Sequence, residues 1–290
     1  CIDSLKNLSV DGIIIDLRNN GGGSLQEAID LTGLFIETGP VVQIKSSSGR
    51  IEIEKDFDKR IHYDGPLLVL NNSFTASSSE IFSGALKDYN RGLIVGESTF
   101  GKGTVQNLLD LERFFPKTDL KLGQLKITLA KYYRVNGGST QKIGVEPHIE
   151  FPNIYDRDIY TENSRINALE WDKIRDITYV DINYITKPLI DHLNSKFIKN
   201  VENDSSFINY MSFVNETKKS RENKTISLNY DIRLKEKKEN DSKNKSLDTS
   251  VKLSEIFPVK EESLLNKIKN DIYLRESVKL FVQMLSFKES

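Results

Sequence analysis

The chain has 290 residues, of which 29% are charged and 38% hydrophobic, and these values are typical of a globular protein with one large or two ordinary domains. Its formal net charge of -1, without a long basic face outside the C-terminal third, argues against nucleic acid as a partner. No apolar run is long enough to span a bilayer, and the single cysteine, Cys1, excludes an internal disulfide.

The first predicted element is a buried strand at residues 12–17, which are apolar and rich in β-branched side chains. A loop with three consecutive glycines, residues 21–23, ends this strand. Glycines allow backbone conformations that are closed to other residues, so that N–H groups can converge on an anion. Taken by itself, however, such a loop is more simply explained as an ordinary flexible turn.

A helix and three strands are predicted next. Two strands, at residues 41–44 and 51–54, come before a continuous apolar run at residues 65–70, which is typical of a strand buried on both faces. The helix precedes them and ends near residues 39–40, as indicated by apolar side chains at helical spacing: Leu25, Ala28, Ile29, Leu31, Leu34 and Phe35.

Ser77 lies at the turn between this apolar strand and a helix whose apolar pattern begins at Ile81. The simpler interpretation is a capping box, in which the Ser77 hydroxyl accepts from the Glu80 N–H and the Glu80 carboxylate reaches back. A strand-to-helix turn is also where nucleophilic serines are displayed, because backbone N–H groups and the helix dipole there favour developing negative charge.

A nucleophilic serine needs a base. The three histidines, His62, His148 and His192, are better explained as solvated or structural. Lys102 is the candidate base, because it lies between two glycines directly after an apolar strand at residues 92–96, and burial would make its neutral amine accessible. The simpler alternative is an exposed lysine in a turn.

A rival motif overlaps this loop. Residues 96–102 fit the first seven positions of the phosphate-binding pattern GxxxxGK[ST], but Gly103 stands where the pattern needs Ser or Thr. A phosphate-binding loop is followed by a helix, whereas residues 104–106 are more typical of a strand. Nucleotide binding is therefore a weak alternative.

Further along, alternating residues at 125–135 predict a strand, and residues 136–139 a hairpin turn. Residues 189–201, 207–214 and 264–285 are predicted to be helical. The charged stretch 215–250 is interpreted as a solvated helix face or a disordered insertion, with a short strand at 225–230.

Two segments and one further residue together carry a specific resemblance. The segments are TASSSE at residues 75–80 and TFGKGTVQ at residues 99–106, with Asp88 between them. This arrangement, together with LRNNGGG at residues 17–23, resembles the carboxy-terminal processing peptidases, most closely the tail-specific protease subgroup. These are serine peptidases with a Ser/Lys dyad. The family usually has Ser where Thr75 stands and Ala where Ser78 stands, and all four residues are small.

The resemblance implies that Ser77 is the nucleophile and Lys102 the general base, twenty-five residues apart, with Gln106 orienting the lysine. The positions that the family pattern marks as supporting correspond to Glu80, Asp88 and Thr99. The oxyanion hole corresponds to Gly22, Gly23 and the N–H of Ser78. Asp88 lies about three helical turns from Ser77, which favours a helix-positioning role over direct contact.

The resemblance further implies an α/β fold with a crotonase-like or ClpP-like layered catalytic core at residues 1–150, followed by a mainly helical C-terminal domain at residues 151–290. It implies no cofactor and no metal. The chain starts at Cys1 rather than Met and has no signal-peptide pattern, so together with the resemblance we expect a missing upstream part, which the resemblance implies to contain a signal sequence and a PDZ domain.

The function predicted on this basis is a serine endopeptidase, periplasmic or in the bacterial cell envelope, that cleaves proteins or peptides with apolar C-terminal tails, with an adaptor protein as a further partner. The alternative from another class is a catalytically silent peptide-binding scaffold with the same fold. The presence of Ser77, Lys102 and Gln106 at family spacing argues against that alternative.

Overall fold

The computed structural model describes residues 1–115, 120–222, 225–246 and 271–287. They cluster into two units: Cys1–His148 with Arg157–Thr186, and Ile149–Asp156 with the described residues from Lys187 onward. The predicted fold class, an α/β layered core followed by a mainly helical region, is confirmed. Residues 157–186, which lie beyond the predicted catalytic domain, cluster with the first unit.

Between residues 13 and 96 the first unit has the predicted order of strands and helices, and a short helix that was not predicted precedes them. Its elements are α1 (Ile2–Asn7), β1 (Ile13–Asp16), α2 (Leu25–Gly33), β2 (Gly39–Ser46), β3 (Ile51–Asp56), β4 (Leu67–Asn71), α3 (Ser78–Asp88), β5 (Leu93–Gly96), β6 (Thr104–Asp110), β7 (Gln124–Tyr133) and α4 (Arg157–Tyr160). Single 3-10 turns occupy Leu111–Phe114 and Glu162–Ser164.

Strands β1, β4 and β5 lie side by side in parallel, with Ile15 opposite Val69 and Leu70 opposite Val95. All five residues of β4 are buried, as the continuous apolar run predicted. Parallel strands bury both faces, and their carboxyl ends meet at one edge of the sheet. The loops that follow β1, β4 and β5 therefore come together at that edge.

A second, antiparallel sheet has the strand order β3, β2, β7, β6. The predicted strands at 41–44, 51–54 and 125–135 all belong to it. The predicted helix end near residues 39–40 is wrong, because α2 ends at Gly33. The Leu34 carbonyl accepts from the N–H groups of His62 and Tyr63, at 3.0 Å each, so it cannot continue the helical hydrogen-bond pattern.

Helix α3 belongs to two apolar clusters. Phe82 and Leu86 pack in one cluster with β1 and β4, while Ile81 and Ala85 pack in another with α2, β2 and β7. A helix buried on two faces cannot shift without disturbing both clusters. Ser77, which caps this helix, is therefore attached to an element that is packed on two faces.

The second unit contains β8 (Ile149–Glu150) and four described helices: α5 (Lys187–Glu202), α6 (Ser205–Glu222), α7 (Tyr230–Ser246) and α8 (Ile272–Ser286). The rings of Phe151 and Phe197 stack at 5.0 Å in its core. The helices predicted at 189–201 and 207–214 are confirmed. Among the described residues, no helix combines the length and the apolar character needed to cross a bilayer.

The strand predicted at residues 225–230 is wrong. The Asn229 side chain accepts from the N–H groups of Asp231 and Ile232, at 2.9 and 3.2 Å, and so caps α7, which begins at Tyr230. The charged stretch predicted as a solvated helix or a disordered insertion is helical at Glu216–Glu222 and Tyr230–Ser246. Residues 223–224, 247–250 and 264–270, covered by the same predictions, lie outside the described residues.

Candidate active site

Three loops meet at the carboxyl ends of the parallel strands. The loop after β4 contacts the loop after β1, because the Ala76 N–H donates to the Asn20 carbonyl at 2.9 Å and the Thr75 hydroxyl to the Leu17 carbonyl at 2.8 Å. It also contacts the loop after β5, where the Phe100 N–H donates to the Thr75 carbonyl at 2.9 Å. The glycine loop, the Ser77 turn and the Lys102 loop thus form one site.

Ser77 is the N-cap of α3, as predicted, but its backbone is unusual. Its φ of 59° and ψ of -121° lie outside the regions that serine ordinarily occupies. Such strain persists only where the surroundings impose it, and it is concentrated at functional sites. Here the Glu80 carboxylate accepts from the Ser77 N–H at 2.7 Å, which is the reverse half of a capping box.

The glycine loop packs directly against this turn. Gly22 has a φ of +87°, and a Cβ at this position would lie 2.6 Å from the Ala76 carbonyl oxygen and 2.8 Å from the Ser78 nitrogen. Only glycine combines this conformation with such a close approach. The predicted oxyanion-hole residues Gly22 and Ser78 are therefore neighbours.

The N–H groups of the glycine loop are bonded within the protein. The Gly23 N–H donates to the Ser78 hydroxyl at 2.6 Å, and the Gly22 N–H donates to the Asn20 side chain at 3.0 Å. A cavity of about 190 Å³ lies beside them and is lined in part by Asn20, Gly22, Gly23 and Ser78. Binding of an oxyanion by either glycine would require exchange of its present acceptor.

Glu80 joins the Ser77 turn, which we call the nucleophile side of the site, to the Lys102 loop, which we call the base side. Its carboxylate has no exposed surface and accepts five hydrogen bonds, the longest of which comes from the Tyr132 hydroxyl at 3.5 Å. One oxygen accepts from the N–H groups of Ser77 and Lys102 at 2.7 and 3.0 Å. The other accepts from the Thr99 hydroxyl and the Gly101 N–H at 2.6 and 2.7 Å. A single buried side chain thus holds the backbone of both predicted dyad residues.

This carboxylate has an unusual protonation equilibrium. Burial raises the pKa of Glu80 to about 7, although its hydrogen bonds with Thr99, Gly101, Ser77 and Lys102 act in the opposite direction. The hydroxyl of the buried Tyr132 adds a second bridge, because it lies within hydrogen-bond distance of the Lys102 carbonyl and, at 3.3 Å, of the Ser77 carbonyl.

Lys102 is half-buried in a loop that needs glycine. Gly101 has a φ of +88°, and a Cβ there would lie 2.8 Å from the carbonyl carbon of Lys142. Burial lowers the pKa of the Lys102 amine, and the positive charge of Lys126 lowers it further, while Glu162 and Glu80 oppose the shift. A lowered pKa increases the neutral fraction of the amine, which is the form that can act as a base.

The other predicted residues lie further out. Gln106 is exposed on β6, and its amide donates to the Thr128 hydroxyl at 3.4 Å. Asp88 ends α3, where it pairs with the Arg134 guanidinium and accepts from the Asn136 amide at 2.9 Å. Asp88 therefore anchors the far end of the helix that Ser77 caps.

His62 and His148 have partners outside this site, and His192 belongs to the second unit. The half-buried ring of His148 accepts from the Ile94 N–H at 3.0 Å, and burial lowers the pKa of His148 to about 3. His62 lies 3.9 Å from the Asp58 carboxylate, and His192 lies beside the Phe287 ring in the second unit. The phosphate-loop alternative also lacks its structural context, because strand β6 and not a helix follows Lys102.

Sequence reasoning missed several residues that hold the Lys102 loop. The Gly103 N–H donates to the buried Gln141 side chain at 2.8 Å, and the Arg157 guanidinium donates to the carbonyls of Ser98 and Thr99 at 2.8 Å each. Tyr132 belongs to an aromatic pair that is ordinarily a packing feature. Local spacing carries no signal for these contacts, because they join residues 30 to 59 positions apart.

Comparison with known proteins gives two family matches, which together cover most of the chain. Residues 1–151 match the model of peptidase family S41, and residues 155–285 match the C-terminal domain of tail specific protease. A tail-specific protease of Haemophilus influenzae is 39% identical over 289 residues, which are 98% of this chain and 41% of that protein.

Two further relatives match about half of the chain. The chloroplastic C-terminal processing peptidase of Tetradesmus obliquus is 36% identical over 156 residues, covering 53% of this chain and 32% of that protein. A solved photosystem II D1 C-terminal processing protease shares 36% identity over 55% of this chain and 39% of its own, with a TM-score of 0.45. The chain thus spans less than half the length of these relatives, and it belongs to peptidase family S41.

Proposed function

We propose that the chain carries the catalytic part of a serine endopeptidase that acts through Ser77 and Lys102. The observation that carries this proposal is the buried Glu80 carboxylate, one oxygen of which accepts from the N–H groups of both Ser77 and Lys102. Membership of peptidase family S41 supports it. A binding scaffold has no need of a strained serine held beside a lysine whose pKa is lowered.

In the proposed reaction the Ser77 hydroxyl oxygen attacks the scissile carbonyl carbon while the neutral Lys102 amine accepts the hydroxyl proton. The N–H groups of Gly22, Gly23 and Ser78 stabilise the resulting oxyanion. The C–N bond then breaks, and the protonated lysine delivers its proton to the leaving amine. An ester between Ser77 and the acyl part of the substrate remains.

Water completes the cycle. Lys102 accepts a proton from a water molecule, whose oxygen attacks the ester carbonyl, and the ester C–O bond breaks as the proton returns to the Ser77 oxygen. The products are two peptides, and the enzyme is restored. Glu80, Thr99 and Asp88 support the two dyad residues without contacting the substrate, and Gln106 has at most a minor part in orienting the lysine, because it is exposed and its amide donates to Thr128.

The proposed substrates are proteins or peptides with apolar C-terminal tails, and the proposed location is the bacterial periplasm or cell envelope, with an adaptor protein as a further partner. The names of the tail-specific relatives support the tail preference. A groove of about 940 Å³ next to the Lys102 loop offers space for an extended polypeptide, and its lining includes Thr104, Gln106, Leu129, Ile166 and Leu169.

The test is cleavage of an unfolded reporter that ends in an apolar tail, by the full-length natural protein that contains this chain. We expect cleavage without ATP or added metal, and its loss in Ser77→Ala and in Lys102→Ala. Ser48→Ala and Lys59→Ala, at exposed positions, are the matched controls and should cleave normally. Cleavage that survives in Lys102→Ala contradicts the mechanism. Reporter binding without cleavage in the parent protein supports the silent scaffold.

A further inference from the structure

Residues 157–172, which we call the strap, lie within the segment that matches the C-terminal domain of tail specific protease. Yet they cluster with the first unit. Arg157 begins the strap, and its guanidinium donates to the carbonyls of Lys142 and Ile143 at 3.2 and 2.9 Å, as well as to two carbonyls of the Lys102 loop. The strap therefore holds the loop that carries the predicted base.

Glu162 is the centre of this contact. Its side chain is buried, and one carboxylate oxygen accepts from the Gln141 amide at 3.1 Å. Gln141, which has no exposed surface, accepts in turn from the Gly103 N–H at 2.8 Å. The Glu162 N–H donates to the Phe100 carbonyl at 3.2 Å. Glu162 thus reaches the loop on both sides of Lys102.

The hydrogen bonds that link Gly103, Gln141 and Glu162 fix the orientation of the Gln141 amide. The Gly103 N–H can be satisfied only by the amide oxygen of Gln141, so the nitrogen of that amide must point away from the loop towards an acceptor. The Glu162 carboxylate is that acceptor. Without it, the amide of Gln141 would be buried with an unsatisfied donor, or would flip and release Gly103.

We propose that Glu162 is a positioning residue for Lys102 and acts through Gln141 and the Gly103 N–H. This inference rests on the proposed function, in which Lys102 is the general base. It also implies that the peptidase unit is incomplete at residue 151, where the match to the family model ends, and needs the strap.

Charge supports the same assignment. The groups that act on the Lys102 amine are Lys126 and Arg165, which lower its pKa together with burial, and Glu162 and Glu80, which raise it. Arg165 also lies 3.4 Å from the Glu162 carboxylate. Removal of the negative charge at 162 must therefore lower the pKa of Lys102, and the neutral amine then forms at lower pH.

The experiment compares Glu162→Gln and Glu162→Ala with Glu170→Gln in the full-length natural protein. Glu170 is a matched control, because it lies on the strap with 85% of its side chain exposed. Competitive acetylation with isotopically labelled acetic anhydride, followed by peptide mass spectrometry, measures the pKa of the Lys102 amine without requiring activity. The pH dependence of kcat and KM is measured on the tail-bearing reporter.

We expect Glu162→Gln, which retains an acceptor for Gln141, to lower the pKa of Lys102 and to move the rise of kcat/KM to lower pH with the plateau nearly unchanged. Glu162→Ala removes the acceptor as well, so its plateau kcat should fall roughly 10-fold with KM little changed. Glu170→Gln should change none of these values.

Two results would overturn the inference: an unchanged pKa of Lys102 in both Glu162 variants, or equal losses of kcat in Glu162→Gln and Glu162→Ala. The labelling separates this failure from a failure of the proposed function. If the parent protein does not cleave the reporter but the pKa of Lys102 falls as expected, the peptidase proposal fails while the positioning contact stands. If cleavage requires Ser77 and Lys102 but the pKa does not move, the contact fails alone.

Discussion

The two sides of the candidate site are built in different ways. The Ser77 turn has a local cap, Glu80, three residues further along the chain, and it also packs against the glycine loop, whose Gly23 lies 55 positions before Ser78. The Lys102 loop is held by side chains 22 to 59 residues away in sequence, on α3, on the segment before β8 and on the strap. The cap of the nucleophile is thus encoded locally, whereas each of these side chains reaches the Lys102 loop only in the completed fold.

Packing explains the difference. Ser77 caps a helix that two apolar clusters fix in place, so its position follows once α3 has packed. The Lys102 loop connects strands of two different sheets and contains glycines on both sides of the lysine. Glycines supply no side-chain packing and allow many conformations. Hydrogen bonds from distant residues must therefore define this loop.

Glu80 is the residue common to both sides, so its replacement should have the largest effect. Glu80→Ala leaves buried donors on Ser77, Lys102 and Gly101 without an acceptor, and we expect kcat/KM to fall roughly 100-fold. Glu80→Gln keeps the shape and one acceptor and should lose less. Glu37→Gln, at an exposed position, is the control. Activity within twofold of the parent in both Glu80 variants would show that the site does not depend on this link.

The raised pKa of Glu80 should make both the stability and the activity of the protein depend on pH. Since its pKa in the folded protein is about 7, above the usual 4.5, its contribution to the free energy of unfolding is fully present below pH 4.5 and is lost as pH rises through 7. The loss is about 3 kcal/mol at most. Activity should rise over the same range, as the carboxylate becomes a full acceptor for the Lys102 loop.

The opposite pH dependences of stability and activity are tested by comparing the parent protein with Glu80→Gln. The free energy of unfolding, from denaturant titrations, and kcat/KM are measured for both proteins from pH 4.5 to 8. The difference is necessary because neutral His148, with a pKa of about 3 in the folded protein, contributes stability that is lost as pH falls below 6.5. The parent and Glu80→Gln share this pH dependence of stability, so it cancels in the difference between them. Parallel curves for the two proteins would contradict the assignment to Glu80.

Gly22→Ala disturbs the nucleophile side alone and is expected to have the next largest effect. The new Cβ would overlap the Ala76 carbonyl and the Ser78 nitrogen, at a position with a φ of +87° that alanine disfavours by roughly 1–2 kcal/mol. The Ser77 turn must shift, and we expect kcat to fall roughly 30-fold. Gly21→Ala has open space around its Cβ and should retain activity. Equal activity of Gly22→Ala and Gly21→Ala would show that catalysis does not depend on the packing of the glycine loop against the Ser77 turn.

The same contrast determines what could be predicted from the sequence. The spacing of Ser77 and Glu80 indicated the cap, and the continuous apolar run at residues 65–70 predicted the buried strand before it, since both signals are local. Glu162 and Gln141 have no local signal, because their roles arise only when residues 21 and 38 positions apart pack together. The incorrect strand at 225–230 failed for a different reason, since the local cap formed by Asn229 outweighs β-branched composition.

Arg157→Lys affects the base side alone, and its effect should be smaller. The planar guanidinium reaches carbonyls on the Lys102 loop and on residues 142–143 at once, and a lysine ammonium cannot reproduce that geometry. We expect kcat to fall roughly 10-fold with KM little changed, and the melting temperature to fall by a few degrees. The control is Arg60→Lys, because Arg60 is 77% exposed. A change in KM without a change in kcat would place Arg157 in substrate binding instead.

Gln106→Ala should have the smallest effect, and it shows how far the base side extends. The Gln106 amide donates to Thr128 on β7 through a long 3.4 Å contact, and the side chain is exposed, so its loss costs little in the structure as it stands. If this geometry persists during the reaction, kcat/KM should fall no more than about threefold. Thr128→Val removes the competing hydroxyl and should leave activity unchanged or slightly higher, because the amide is then free to turn towards Lys102. A 100-fold loss of kcat/KM in Gln106→Ala would mean that Gln106 turns towards Lys102 when substrate binds. The surroundings of the base would then be complete only in the enzyme–substrate complex.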